Sequence, residues 1–267
     1  MRIEPGTRAL VTGASRGIGR ALCRALASRG ARLGLMARGR EGLEELAAEL
    51  AEGPGGPHVP LVADVSKRGQ VTRAVDRFAK RAEGLDLVIA NAGVAHYGPF
   101  ADADVERAEE MVRVNVLGAI YTVGAALPHL LDRARGHVVI MSSGAGVRAF
   151  PSAAVYGATK AADRGFAEAL RHELSGTGVS VTTVFPGEVE TDLHAHERSL
   201  LPDWRRNEDE LPADAVARAV LNGVESDSRA VYVPGVVRLL GLNGLAPRLT
   251  DALLRRIRGA TAAPRRD

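Results

Sequence analysis

Cysteine, aromatic residues and long apolar runs are all scarce in this sequence. Cys23 is the only cysteine among 267 residues, which excludes an internal disulfide framework and a cysteine zinc cluster and fits a reducing compartment. Aromatic residues make up 4% of the chain, too few for the stacking platforms of a single-strand nucleic-acid binder. No uninterrupted apolar stretch reaches the ~18 residues of a membrane span, and the first residues lack the apolar segment of a signal peptide. We therefore expect a cytoplasmic protein.

Most of the chain also lacks segments in which charges of one sign are concentrated. The net charge is +3, but basic and acidic residues are mingled, so we expect no nucleic-acid partner. Only the end is locally basic, at 255–258 and 265–266. The chain is 46% hydrophobic and 25% charged, as globular proteins are, and no long linker divides it. We expect one domain over residues 1–259 and a disordered tail over 260–267.

Short β-like runs alternate with helical patterns along the whole chain. Strands are predicted at 9–12, 32–37, 58–63, 85–90, 137–141, 179–185 and 230–233. This alternation predicts an α/β fold of βαβ units, with a parallel sheet covered by helices on both faces. Ligands of such sheets bind beyond the carboxyl ends of the strands, where the strand order reverses. We therefore look for functional residues directly after strands.

A glycine-rich turn follows the first strand. It reads Thr12-Gly-Ala-Ser-Arg-Gly-Ile-Gly19 and opens a helix. Glycines let the backbone approach a pyrophosphate, and the free N–H groups at the helix start provide positive charge. The spacing differs from G-x-G-x-x-G and lacks the Lys-Ser/Thr of a P-loop, so a turn without a ligand is the alternative. The candidate cofactor residues of this turn are Gly13, Ser15, Arg16, Gly17, Ile18 and Gly19.

The second strand runs into Arg38, at the position where NAD-selective proteins usually carry an acidic residue that bonds the ribose 2′-OH. Arg38 and Arg16 can instead pair with a 2′-phosphate through their planar guanidinium donors. This pattern favours NADP(H) as the cofactor. Two solvated surface arginines are the alternative interpretation.

Small and polar residues follow the third and fourth strands. Asp64 and Val65 follow the third strand, and a carboxylate there can accept a hydrogen bond from the adenine amino group. Asn91, Ala92 and Gly93 follow the fourth; their small size permits close approach to the adenosine and ribose, and Asn91 can tie neighbouring backbone together. Ordinary turn chemistry explains each motif equally well when it is taken singly.

Tyr156 and Lys160 stand four positions apart in a helical pattern and therefore share one helix face. A lysine ammonium close to a phenol stabilises the phenolate, so the tyrosine can act as acid or base. A Tyr-x3-Lys pair also occurs by chance on many helices. Taken alone, the pair is a hypothesis for an active site.

Two further polar positions extend this hypothesis. Ser143, thirteen positions before Tyr156 and close behind a predicted strand, can hydrogen-bond a substrate oxygen and stabilise charge on it; Ser142 competes for the same role. Asn115 interrupts an apolar helical pattern, where a buried amide has to be hydrogen-bonded. Asn115 could therefore take part in a proton relay, or it could be a structural asparagine whose hydrogen bonds are satisfied within the fold.

These motifs occur in a fixed order that resembles the short-chain dehydrogenase/reductase family. The match runs from about residue 5 to 235 and includes Pro186-Gly187-x3-Thr191. The resemblance implies one doubly wound Rossmann-type sheet of about seven parallel strands. It also implies an NADP-preferring oxidoreductase that acts on a carbonyl or alcohol carbon, assembled as a homodimer or homotetramer.

The resemblance further implies a role for each matching residue. Tyr156 would exchange a proton with the substrate oxygen, Lys160 would hold the nicotinamide ribose, Ser143 would orient the substrate, and Asn115 would hold a relay water. The residues that would contact the carboxamide region are Pro186, Gly187, Val189 and Thr191. A nucleotide-binding regulatory protein on the same fold is the alternative function.

Substrate choice is expected to depend on 94–100, 144–150 and 190–210, which mix aromatic and aliphatic groups and so suit a largely apolar substrate. His194 and His196 lie in the last of these loops, but without a third ligand we expect no metal. The segment 236–258 combines Leu and Ile with arginines. As an amphipathic helix it could cover the active site, join a subunit interface or lie on an acidic membrane.

Overall fold

The structure is a computed structural model that describes residues 1–51, 53–191, 210–244 and 247–248. His194, His196, most of the predicted substrate loop 190–210 and the tail lie outside the described residues. The helical segment predicted at 236–258 is described only at its beginning.

The central feature is a seven-stranded parallel sheet with the order β3-β2-β1-β4-β5-β6-β7. Chain order reverses between β1 and β4, so the fold is doubly wound, as predicted. The register places Val11 of β1 beside Leu35 of β2 and beside Ile89 of β4. The strands are β1 (Arg8–Thr12), β2 (Arg32–Ala37), β3 (Val59–Val62), β4 (Leu87–Ala90), β5 (Gly136–Met141), β6 (Val179–Pro186) and β7 (Ala230–Val233).

Helices connect the strands and cover both faces of the sheet. The described residues also include a short 3₁₀ segment, Phe100–Asp102, a ten-residue 3₁₀ segment, Gly235–Gly244, and a π-helix, Val112–Leu117. The α-helices are α1 (Gly17–Ala27), α2 (Arg40–Leu50), α3 (Arg68–Ala82), α4 (Val105–Met111), α5 (Gly118–Leu131), α6 (Gly144–Val147), α7 (Ala154–Glu173) and α8 (Ala213–Glu225).

Two apolar layers hold these elements together, one on each face of the sheet. In β1, Ala9 and Val11 face the layer formed by α1, α2 and α8, whereas Leu10 faces the layer formed by α3, α5 and α7. Successive strand residues point to opposite faces. A strand covered on both faces is therefore apolar throughout, which is why β1 reads as a continuous apolar run.

The continuous helix from α4 through α5, Val105–Leu131, is long and apolar enough to cross a membrane by length and composition alone. The expectation that no segment qualifies rested on uninterrupted apolar runs, and Asn115 and His129 interrupt the run that follows Arg113. Val123, Ala126 and Leu130 on its inner face are buried in the second apolar layer. A helix that covers a sheet needs such an apolar face.

The predicted amphipathic segment begins as a 3₁₀ helix, not as an α-helix. Val236, Leu239 and Leu242 are exposed and three positions apart, as expected where side chains at i and i+3 align. Val237 is buried on the other side. Cγ2 of Val237 lies 3.6 Å from where a Cβ on Gly187 would stand. This segment thus packs beside a residue that the sequence assigns to the cofactor site.

One buried histidine makes stability depend on pH. His137 is fully buried, its Nε2 lies 2.8 Å from Thr182 Oγ1, and the Thr182 hydroxyl donates to the Ser228 carbonyl. The imidazole therefore donates through Nε2, and its buried Nδ1 has no partner among the described residues. Burial lowers the pKa of His137 from 6.5 to about 4.

We expect His137→Gln to remove a stability loss that the wild type shows between about pH 6.5 and 4. In that window the unfolded chain binds the proton and the folded chain does not, so stability falls as pH falls. The wild type should lose roughly 2–3 kcal/mol more than the variant between pH 7 and 4.5. Denaturant unfolding at both pH values measures the difference. The control is His172→Gln, at an exposed position of α7. Equal losses of stability for the wild type and His137→Gln would contradict the assignment.

Candidate active site

A cavity of about 360 Å³ opens at the carboxyl ends of the strands, where the strand order reverses. All the sequence-predicted cofactor and catalytic residues except Asn115 line it. These are Gly13, Ser15, Arg16, Gly17, Ile18, Gly19, Arg38, Asp64, Val65, Asn91, Ala92, Gly93, Ser143, Tyr156, Lys160, Pro186, Gly187, Val189 and Thr191. Val94, from the predicted substrate segment 94–100, and Ser142, the predicted competitor of Ser143, also line the cavity. Further lining residues that sequence reasoning did not assign are Ala37, Gly39, Ala63, Val114 and Met141.

The glycine turn is shaped by close backbone contacts. Gly13 and Gly17 have φ of +67° and +52°, a region that favours glycine. A Cβ on Gly19 would stand 2.0 Å from the Gly13 carbonyl oxygen. Arg16 at the N-cap of α1 makes no side-chain hydrogen bond to the helix start, so the first N–H groups of α1 are available to an anion. This backbone fits the pyrophosphate of a dinucleotide.

At the end of β2 the cavity carries positive charge. The Arg38 side chain is 60% exposed, and its Nη1 lies 3.9 Å from the Glu110 carboxylate. Arg16 lines the same cavity from the glycine turn. Asp64, in the loop after β3, accepts a hydrogen bond from the Ser66 N–H at 2.9 Å and lines the cavity, so it both shapes its turn and faces the cavity.

Thr12 joins β1 to the loop after β4. Its hydroxyl oxygen accepts hydrogen bonds from the N–H groups of Asn91 and Ala92, both at 3.0 Å. The Asn91 side-chain amide donates in return to the Thr12 carbonyl, also at 3.0 Å. The glycine turn and the Asn91–Gly93 loop are thereby held against each other, and both line the cavity.

Tyr156 and Lys160 share the inner face of α7. The Lys160 ammonium donates to the Met141 carbonyl and to the Asp163 carboxylate, both at 2.9 Å. Burial acts to lower the pKa of Lys160, but the charge of Asp163 and the nearby Tyr156 oxygen outweigh it, so the pKa is raised. The Tyr156 ring packs edge-on against Tyr97, with ring centroids 5.9 Å apart. The ammonium is thus held charged beside the phenol.

The two serines after β5 have different partners. Ser142 donates its hydroxyl to the Lys160 main-chain carbonyl at 2.7 Å and so ties β5 to α7. Ser143 Oγ accepts a hydrogen bond from the Ala145 N–H at 3.2 Å, and this bond does not use the hydroxyl proton. Ser142 is therefore committed to structure, whereas Ser143 can still donate toward the cavity.

Asn115 lies in the π-helix and does not line the cavity. Its Oδ1 accepts from the Val94 N–H at 2.8 Å, and its Nδ2 donates to the Val94 carbonyl at 2.9 Å and to Thr159 Oγ1 at 3.0 Å. Both donors and the acceptor of the buried side chain are thus engaged in positioning Val94 and Thr159. The structure supports the structural interpretation of this side chain, and the relay water stays a prediction.

Asp163 is the polar residue that sequence reasoning missed. It lies three positions after Lys160 and seven after Tyr156, so all three occupy one helix face. Asp163 shares its helix face with Thr159 and Ala167, which are buried. A carboxylate on a buried face needs a partner, and this pattern could have indicated from the sequence that Asp163 pairs with Lys160.

Fold and cavity together define a dinucleotide-binding protein of the Rossmann type. The short chain dehydrogenase family matches residues 7–201, and the chain belongs to this family of oxidoreductases. An uncharacterised oxidoreductase of Myxococcus xanthus is 36% identical over 250 residues, covering 94% of this chain and 97% of the relative. An uncharacterised oxidoreductase of Staphylococcus saprophyticus is 31% identical over 220 residues, covering 82% and 92%.

Solved structures show the same architecture. A short-chain dehydrogenase/reductase from Burkholderia phymatum, in complex with NAD, superposes with a TM-score of 0.83 at 26% identity, covering 94% of this chain and 97% of the other. An alcohol dehydrogenase from the archaeon Thermococcus sibiricus, complexed with 5-hydroxy-NADP, superposes with a TM-score of 0.75 at 31% identity, covering 85% and 94%. The family membership predicted from the ordered motifs is confirmed.

We expect Gly19→Ala to weaken dinucleotide binding at least about tenfold, because the added Cβ would meet a main-chain oxygen that cannot move without displacing the glycine turn. Fluorescence titration with NADPH measures the change. The control is Gly165→Ala in α7, where an added Cβ would meet nothing within 4 Å. This substitution should stabilise the helix by about 1 kcal/mol and leave dinucleotide binding unchanged. Wild-type affinity in Gly19→Ala would contradict the assigned role of the turn.

Proposed function

We propose that the protein is an NADP(H)-dependent oxidoreductase that moves a hydride between the nicotinamide and the carbonyl or secondary alcohol carbon of a largely apolar substrate. One observation carries this proposal: Ser143, Tyr156 and Lys160 line the same cavity as the glycine turn. A protein that only binds the nucleotide has no need of a phenol, an ammonium and a hydroxyl gathered beside it.

Each polar group has a distinct proposed task. A bound nicotinamide supplies or accepts the hydride. Tyr156 donates its phenolic proton to the substrate oxygen during reduction and takes it back during oxidation. Ser143 donates a hydrogen bond to the same oxygen and stabilises the charge that develops there. Lys160 keeps one N–H beyond its bonds to Met141 and Asp163, and this proton suits a ribose hydroxyl.

The cofactor preference is proposed from the charge at the end of β2. Arg38 and Arg16 both line the cavity, and Ala37 and Gly39, which flank Arg38, offer no carboxylate to a ribose 2′-OH. Guanidinium groups suit a 2′-phosphate. The solved relatives carry NAD in one case and 5-hydroxy-NADP in the other, so the preference rests on these residues of the chain itself.

The substrate class is proposed from the wall around Tyr156. Tyr97 and Phe150 stack with ring centroids 6.3 Å apart, and Ala95, Ala145 and Ala153 are buried in the same cluster. The loops 94–100 and 144–150 thus meet beside the phenol. An apolar wall next to a single proton donor suits an apolar substrate with one reactive oxygen.

We expect Tyr156→Phe to lower kcat for carbonyl reduction by about 10²- to 10⁴-fold, because the proton donor is lost while the ring remains. A panel of ketones with NADPH measures turnover, and fluorescence titration checks that NADPH still binds. Tyr121→Phe, on α5 and outside the cavity, is the matched control. Unchanged turnover in Tyr156→Phe would contradict the mechanism, and NADPH binding without turnover in the wild type would favour a regulatory protein.

We expect Arg38→Asp to weaken NADPH binding by about 10- to 100-fold while NADH binding changes little, since a charged hydrogen bond contributes about 1.5–3 kcal/mol. Titrations with both nucleotides measure the ratio. Arg40→Asp gives the same change in charge two positions away, at an exposed ion pair with Glu44, and should leave the ratio near that of the wild type. Equal losses for both nucleotides in Arg38→Asp would show that Arg38 does not contact the 2′-phosphate.

A further inference from the structure

An exposed apolar stripe runs along the 3₁₀ segment Gly235–Gly244, to which the proposed function gives no task. Val236, Leu239 and Leu242 are 62%, 60% and 51% exposed. A 3₁₀ helix has three residues per turn, so side chains three positions apart stand directly above one another. These three residues therefore form one continuous apolar edge, the outer stripe. Large apolar side chains that are exposed side by side mark a contact surface.

The inner side of the same segment holds it on the domain. Val237 is buried, and its Cγ1 lies 3.4 Å from where a Cβ on Gly144 would stand. Leu240 Cδ1 lies 3.8 Å from the same point. These two side chains thus secure the segment on α6, beside the cavity that Gly187 lines. They account for its packing near the active site and leave the outer stripe unexplained.

Positive charge is concentrated in the same part of the sequence. Residues 236–267 contain seven arginines, two aspartates and neither lysine nor glutamate, which gives them a net charge of +5. The whole chain carries +3, so residues 1–235 carry −2. Two of the seven arginines belong to the described residues, and both are exposed; these are Arg238 and Arg248. The chain is thus slightly acidic up to β7 and strongly basic after it.

This charge makes a second copy of the chain a poor occupant for the outer stripe. Twofold contacts, the commonest in homo-oligomers, pair a surface with its own copy. Such a contact would bring Arg238 and the arginines that follow it close to the same arginines of the second copy. Like charges held together oppose association.

An anionic lipid surface fits both features of the segment. Apolar side chains that stand beside arginines enter the boundary between headgroups and acyl chains, while the guanidinium groups stay among the anionic headgroups. The cytoplasmic leaflet of cell membranes is negatively charged and attracts clusters of arginines near its surface. Because residues 1–235 carry a net negative charge, this attraction acts chiefly on the basic segment that also carries the outer stripe.

We propose that the outer stripe, together with the arginines of 236–267, binds the protein to the surface of an anionic membrane. Val236, Leu239 and Leu242 enter the apolar boundary, and the arginines face the lipid headgroups. Since the segment packs beside the cavity, this contact brings the active site close to the lipid, where apolar molecules accumulate. Only this last consequence rests on the proposed function.

The test measures cosedimentation of the purified full chain with vesicles, either of phosphatidylcholine alone or of equal parts phosphatidylcholine and phosphatidylglycerol. Neither cofactor nor substrate is present, so a failure of the proposed function leaves this result intact. The serine variant carries Val236→Ser, Leu239→Ser and Leu242→Ser. The glutamine variant carries Arg238→Gln and Arg248→Gln. The matched control removes three exposed apolar side chains from other elements, with Val62→Ser, Val105→Ser and Leu131→Ser.

We expect the wild type to bind the anionic vesicles at least about tenfold more tightly than the neutral ones and to lose most of this binding at about 0.5 M salt. The serine variant should bind the anionic vesicles at least about tenfold more weakly, because its side chains no longer enter the apolar boundary. The glutamine variant should bind them about 10- to 30-fold more weakly, because two charges at the surface are lost. The control should bind as the wild type does.

Absence of wild-type binding to the anionic vesicles would overturn the proposal, and so would equal binding by the wild type and the serine variant. Light scattering tests the other occupant: a lower oligomeric mass in the serine variant, with no vesicle binding by the wild type, would assign the outer stripe to a subunit interface. Thermal unfolding verifies that each variant is folded. If the serine variant does not fold, the glutamine variant decides, because it changes only exposed charges, and wild-type binding in it would refute the proposal.

Discussion

The cavity depends on one set of hydrogen bonds between two strands that are adjacent in space but far apart in sequence. Thr12, at the end of β1, binds the N–H groups of Asn91 and Ala92 after β4, and Asn91 binds back to Thr12. These bonds stand where the strand order reverses, so the connections on either side leave in opposite directions and a crevice opens between them. A Cβ on Gly13 would lie 3.0 Å from Ala92 Cα, which shows how closely the two loops meet.

The proposed catalytic end depends on how tightly α7 is held against β5. Ser142 donates to the Lys160 carbonyl, and the turn of α6 is so close that a Cβ on Gly146 would stand 2.5 Å from that same oxygen. Lys160 in turn binds the Met141 carbonyl. Three backbone contacts therefore determine the position of one side chain, and a rigid support of this kind is what proton transfer at a defined atom requires.

Much of the fold and of the cavity could be predicted from local patterns. Alternating apolar runs indicated the strands, and residues after strands had to meet at one edge of a parallel sheet, which is why Arg38, Asp64 and Asn91 line one cavity although they are distant in sequence. The partners of polar side chains could not be predicted in this way. The choice between Ser142 and Ser143 depends on which hydroxyl reaches the Lys160 carbonyl. Asn115 is engaged by Val94, and Asp163 is paired with Lys160, through packing that periodicity does not encode.

The central claim is that the cavity holds NADP(H), and titration of the purified full chain with NADPH and NADH tests it most directly. Nicotinamide fluorescence and the midpoint of thermal unfolding report binding independently, since a ligand that binds only the folded chain raises its stability. We predict saturable binding of NADPH at least about tenfold tighter than binding of NADH. Binding of neither nucleotide would contradict the claim.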